Sequence, residues 1–163
     1  MGVIEQGETP EWLRRETDRL MREACRNMIR SQCLVTVLFV WPQRHAPLVA
    51  KPIDDLQEGR RLAIPIAASG VAAIGMVMEA WLGLGPEAEA HSDAGHSLET
   101  YAGRREVVLL HVATSRGQRV LVREVVRDAA NRVTGTTPLA PDEDGFSIGY
   151  GPLDGLPWGA HTN

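Results

Sequence analysis

The chain has 163 residues, a hydrophobic content of 44% and a formal net charge of −4. That is enough for one domain with its own core, and it excludes a supercharged nucleic-acid binder and a disordered chain. Of its 17 basic residues only Lys51 is lysine. As composition, that bias matches codon usage in a GC-rich genome; placement decides whether it means more. Two cysteines, Cys25 and Cys33, are too few for a disulfide framework or for a zinc site of their own. Both are expected as free, buried thiols. The opening residues include Glu5 and Glu8 and have no signal-peptide pattern, so a reducing cytoplasm is the expected compartment.

In chain order, Thr9-Pro10-Glu11 starts a helix expected over about residues 10–31, with Thr9 as its cap. Leu13, Leu20, Met21, Ala24 and Met28 recur on one face, which should pack on the core. Residues 33–41 (CLVTVLFVW) read as a buried strand. A turn over 42–47 leads into a return strand at 48–53. Asp54-Asp55 offers a cap for a second helix over 55–69, which Pro65 should kink or shorten. Residues 71–82 form a long central strand.

The run Leu62–Met78 carries no charge and is nearly long enough to span a membrane. Pro65, Gly70 and Gly75 interrupt it and Glu79 follows at once. A buried helix followed by a buried strand is the expected reading, with no membrane contact. Residues 83–103 read as a long polar loop. Strands at 106–114 and 119–127 are joined by a turn at Ser115-Arg116-Gly117-Gln118, and residues 133–137 add a short strand. After residue 138 the chain turns Gly- and Pro-rich and acidic, with Asp142-Glu143-Asp144. Phe146, Tyr150 and Trp158 make residues 139–163, which follow a domain at 1–138, an arm expected to dock on its own domain or on a neighbouring subunit, with a disordered tail as the alternative.

The expected fold is α+β: two helices on one face of a mostly antiparallel sheet of five or six strands. A crossover over residues 55–82 leaves a mixed sheet open.

Four places carry candidate chemistry. Arg15, Arg19, Arg22, Arg26 and Arg30 are spaced by four, three, four and four, so they form one stripe opposite the apolar face. Guanidinium forks suit carboxylate and phosphate oxygens, which makes the stripe a partner surface, with Phe146, Tyr150 and Trp158 as further anchors. Pairs such as Glu11 with Arg15 and Asp18 with Arg22 would explain the same stripe as a solvated face. Nucleic acid is the weaker reading, since the chain is acidic overall and lacks a stacking platform. The second place is the loop at 87–99, where His91, Asp93 and His96 are the residue types that hold zinc, though His-x4-His fits no established spacing. Third, Glu79 closes an apolar strand and should pair with Arg104 or Arg105. Fourth, His111 lies inside an apolar strand, where a core histidine with a satisfied ring nitrogen is expected. No nucleophile elbow, dinucleotide loop or P-loop is present, so no catalytic residue is assigned.

The segment ending Glu79-Ala80-Trp81, followed after a loop by Arg104-Arg105-Glu106-Val107-Val108, resembles a pattern in small uncharacterised α+β proteins of bacteria and their phages. The resemblance covers about residues 33–128. It implies an accessory protein of a bacterium, phage or mobile element, and it supplies no activity. The function expected is therefore a non-catalytic binding or assembly protein that forms homo-oligomers. The alternatives are a small metal-dependent or acid–base hydrolase built on the 87–99 loop, or nucleic-acid binding through the arginine stripe.

Overall fold

A computed structural model describes residues 2–83, 85–139 and 153–159. The fold is α+β, and among the described residues it has three α-helices and one antiparallel sheet of seven strands. The strand count exceeds the five or six expected. One additional strand is β1 (Gly2–Gly7), ahead of the first element read from the sequence. It is short and mostly exposed, and only its pairing partner makes it a strand.

Helix α1 (Glu11–Ser31) buries Leu13, Leu20, Met21, Ala24, Cys25 and Met28, the apolar face expected from the periodicity. Its start differs in one detail. Pro10 is the capping position, and its carbonyl accepts from the N–H groups of Leu13 and Arg14 at 3.0 and 3.1 Å. Thr9 makes no capping bond and is buried instead. At the other end Gln32 takes a left-handed conformation (φ 64°) and closes the helix. Its side-chain amide then reaches Val133. Nε2 donates to the Val133 carbonyl at 3.1 Å and Oε1 accepts from the Val133 N–H at 2.7 Å. This strand-like pairing fixes the helix end to the sheet.

The segment 33–41 contributes a strand only from β2 (Val37–Trp41), which pairs with β3 (Val49–Pro52). Helix α2 (Leu56–Ala68) begins with a capping box. Asp55 accepts from the Glu58 N–H and Glu58 accepts from the Asp54 N–H, both at 2.7 Å. Pro65 is accommodated within α2 at an exposed position rather than ending the helix. Strand β4 (Ala73–Leu82) follows. The uncharged run Leu62–Met78 is thus divided between α2 and β4, and no described helix is long and apolar enough to cross a membrane. The expected loop at 83–103 contains α3 (Gly85–Asp93) and a 3-10 turn at Leu98–Thr100. Its residues have little apolar periodicity, which hid the helix. Strands β5 (Arg105–Ala113), β6 (Gly117–Arg127) and β7 (Val133–Pro138) complete the sheet.

Strand order is β1-β6-β5-β4-β2-β3, with β7 also on β6. Gly2–Gly7 pair with 117–122 of β6, while β7 pairs with 123–127. These two short strands therefore lie end to end along one edge. Every pairing is antiparallel, so the mixed sheet left open by the sequence does not form.

The two long helices lie on opposite faces, which corrects the expected single helical layer. Alternation along the strands explains this. Trp41, Val77, Val108, Leu110, Val112, Leu121 and Val125 point to the α1 side. Leu38, Ile74, Met76, Met78, Leu109 and Val122 point to the other side with Ala63 and Ala67 of α2. Because strands β4 to β6 are apolar on both faces, each face needs a cover. On the α2 side part of that cover is the C-terminal segment, with Leu139, Leu153 and Leu156 buried in the same cluster.

Candidate functional site

The arginine stripe on α1 is electrostatically divided. In its first half, Arg15 pairs with Glu11 at 3.1 Å. Arg19 bridges Glu16 and Glu23, each at 3.0 Å, and the Glu16 hydrogen bond helps hold its pKa above the usual arginine value. The expected Asp18–Arg22 pair is replaced. Asp18 lies 3.0 Å from Arg119 Nη1, because β6 brings that nearly buried guanidinium under the helix. Arg119 also donates to Thr17 Oγ1 and the Arg14 carbonyl, and approaches Glu5 at 3.4 Å. Arg14 meets Glu5 at 3.0 Å. In its second half, Arg22, Arg26 and Arg30 are exposed. They form no ion pair or side-chain hydrogen bond among the described residues.

Two hollows flank this half of the helix. One, of about 250 Å³, lies toward β6 and β7 and is lined by Met21, Arg22, Cys25, Arg26, Arg123 and Thr136. The other, of about 400 Å³, lies toward β2 and is mainly apolar, with Leu20, Ala24, Val35, Val37, Phe39 and Val77. Cys33 lines this second hollow and is exposed, which corrects the expectation that both thiols are buried; Cys25 is buried. The cysteine side of this arrangement follows from where β2 begins. With the strand starting at Val37, residues 33–36 are a surface connection.

The loop histidines meet without their expected third partner. The His91 and His96 rings stand 5.2 Å apart, and His91 also packs on Tyr101 at 5.4 Å. His91 Nε2 lies 3.1 Å from the Ser97 carbonyl and 3.0 Å from Thr100 Oγ1. Asp93 makes no hydrogen bond or ion pair among the described residues. Among those residues, no three histidine, cysteine or acidic side chains come together at metal-binding distance.

Glu79 is exposed and accepts from the Leu34 N–H at 2.5 Å. The expected partners are engaged elsewhere: Arg105 pairs with Glu124 at 3.1 Å, and Arg104 stacks on Trp81 at 4.8 Å. Side-chain direction decides this for Arg105, which projects from the opposite face of the sheet to Glu79. The strong pair nearby is one the sequence reading missed. Arg127 grips Glu106 through two bonds of 2.7 and 2.6 Å, which raises the Arg127 pKa.

His111 is fully buried beneath the C-terminal segment. Nδ1 accepts from the Leu153 N–H at 3.4 Å, so Nε2 carries the proton and donates to Gln118 Oε1 at 2.8 Å. Burial pushes its pKa below the usual histidine value. Both ring nitrogens are used, in a structural role. Arg60 donates to the Asp154 carbonyl at 2.6 Å and Gly159 N–H to the Ala67 carbonyl at 3.0 Å, so residues 153–159 lie along α2. Trp158 is half-buried against this same core. Phe146 and Tyr150 lie outside the described residues.

Comparison of the chain with protein families, curated proteins and solved structures finds no match.

Proposed function

We propose that this chain is a non-catalytic binding or assembly protein, an accessory protein of a bacterium, phage or mobile element, which self-associates through the outer surface of α1. The observation that carries the reading is the charge of Arg22, Arg26 and Arg30, which no described carboxylate pairs. The same helix pairs Arg14, Arg15 and Arg19 with carboxylates. Like charges one turn apart repel by roughly 0.2–0.5 kcal/mol per pair, so folding alone gives no reason for this cluster. Carboxylates from a partner remove that repulsion. The apolar hollow on the opposite flank supplies area that a partner can cover.

The partner proposed is a second copy. Each chain carries the acidic run Asp142-Glu143-Asp144, which is complementary to the arginines. The buried, doubly bonded His111 and the engaged His91 give less support to an acid–base or metal-dependent hydrolase. The compartment proposed is the cytoplasm.

Light scattering tests this. At low salt the mass should be a multiple of 17.8 kDa. It should fall toward the single-chain value at high salt, or in Arg22→Gln/Arg26→Gln/Arg30→Gln. A single-chain mass at low salt and high protein concentration would overturn self-association.

A further inference from the structure

We infer that Arg22, Arg26, Arg123 and Thr136 form a binding site for a phosphate monoester group. This rests on reading the outer surface of α1 as a recognition surface, and it adds a second ligand, held in the hollow on one flank, to the carboxylates proposed for that surface.

The hollow of about 250 Å³ between α1 and strands β6–β7 is built from two elements. Arg22 and Arg26 stand one turn apart on the helix flank. Arg123 faces them from β6, on the α1 side of the sheet with Leu121 and Val125. Its guanidinium is held in place: Nε donates to Thr136 Oγ1 at 2.9 Å and Nη2 to the Thr136 carbonyl at 3.0 Å. Nη1 has no partner among the described residues. Thr136 Oγ1 accepts from Arg123, so its own hydrogen remains available to a ligand. The inner wall is apolar, from buried Met21 and Cys25.

Among the described residues, the ionisable groups lining this hollow are three guanidiniums and a thiol, with no carboxylate. An assembly of donors with three positive charges recognises an oxyanion. A single carboxylate offers about four lone-pair sites and one charge. A phosphate monoester offers three terminal oxygens and a charge of about −1.5 to −2 at neutral pH, which matches the donors better. The apolar wall strengthens the attraction by limiting water on one side.

The test is calorimetric titration of the full-length protein with inorganic phosphate, O-phosphoserine and acetate at constant ionic strength. Saturable binding of phosphate or phosphoserine, with none of acetate, supports the site. Tighter binding of phosphoserine assigns the group to a modified protein partner; equal or weaker binding assigns it to a small phosphorylated molecule. Arg22→Gln/Arg26→Gln should weaken binding about tenfold or more. Neither arginine makes a polar contact with a described residue, and coincident thermal melts will show that the variant is intact. Thr136→Val is a second variant and should weaken binding less. No saturation with either phosphate ligand, acetate binding as well as phosphate, or unchanged affinity in Arg22→Gln/Arg26→Gln would overturn the site. Light scattering separates this from self-association: phosphate binding by a single-chain species keeps the site and removes the assembly. An assembly that dissociates in Arg22→Gln/Arg26→Gln without binding phosphate does the reverse.

Discussion

One face of the sheet is covered by α2 and by residues 153–159, which together bury Leu153, Leu156 and His111. The other face carries a single long helix with a hollow on each flank. On the first face the polar groups answer one another: His111 to Gln118 and Leu153, Arg60 to Asp154, Gly159 to Ala67. On the second, a dense set of ion pairs around Arg119 gives way, two turns further along α1, to arginines with no carboxylate partner among the described residues. The contrast teaches where folding energy is invested and where surface chemistry is left open. The closed face is built for stability, and the half-open face has charge and apolar area in excess of what the fold uses.

The largest effect is expected at the C-terminal segment. Leu153→Ala should cost about 2–4 kcal/mol in urea unfolding, because it empties a core position and loosens the N–H that serves His111. A loss under about 0.5 kcal/mol would mean that the segment is not part of the closed face. On the other side, Arg119→Ala should cost about 1–2 kcal/mol. It leaves Asp18 and Glu5 without their shared cation, while their partial exposure screens the remaining repulsion. If urea unfolding shows no change, the ion-pair cluster under α1 does not hold the helix.

A third prediction concerns pH and belongs to the closed face alone. Burial lowers the folded-state pKa of His111 from a usual value near 6.5. Below about pH 6.5 the unfolded chain takes up a proton that the folded chain resists. Stability therefore falls as pH drops from that value toward the lowered one, and this contribution is flat above it. His111→Asn should remove that component of the slope. Parallel stability profiles for the two proteins across pH 5 to 7.5 would show that His111 does not titrate in this way. The smallest effect is expected on the open half of α1. Arg22→Gln and Arg26→Gln should each change stability by less than about 0.5 kcal/mol. A larger loss in thermal or urea unfolding would place these arginines among the structural contacts after all.

Much of the architecture is legible in local pattern. The helical period of Leu13, Leu20, Met21, Ala24 and Met28 predicts both α1 and its buried face. The β-branched runs predict β5 and β6, and Asp55 announces α2. What pattern missed has specific causes. β1 is a strand because β6 has a free edge for it, and nothing in Gly2–Gly7 alone says so. α3 lacks an amphipathic period, and Cys33 is exposed because β2 begins four residues later than its apolar run suggests. In the candidate site, the stripe was visible at helical spacing, but Arg123 and Thr136 were not, because their partners lie about 100 residues away in sequence.

Local pattern in the chain is enough for the elements with a strong period, the α+β class and the alignment of five arginines on one helix face. Those properties depend on neighbours within a turn or two of chain. The assembled fold is needed to see that the helices take opposite faces, that Asp18 serves Arg119 rather than Arg22, and that Arg123 meets Arg22 and Arg26 across a hollow. Each of these depends on which strands lie side by side and which way their side chains point, a matter of long-range pairing and register that no local spacing encodes.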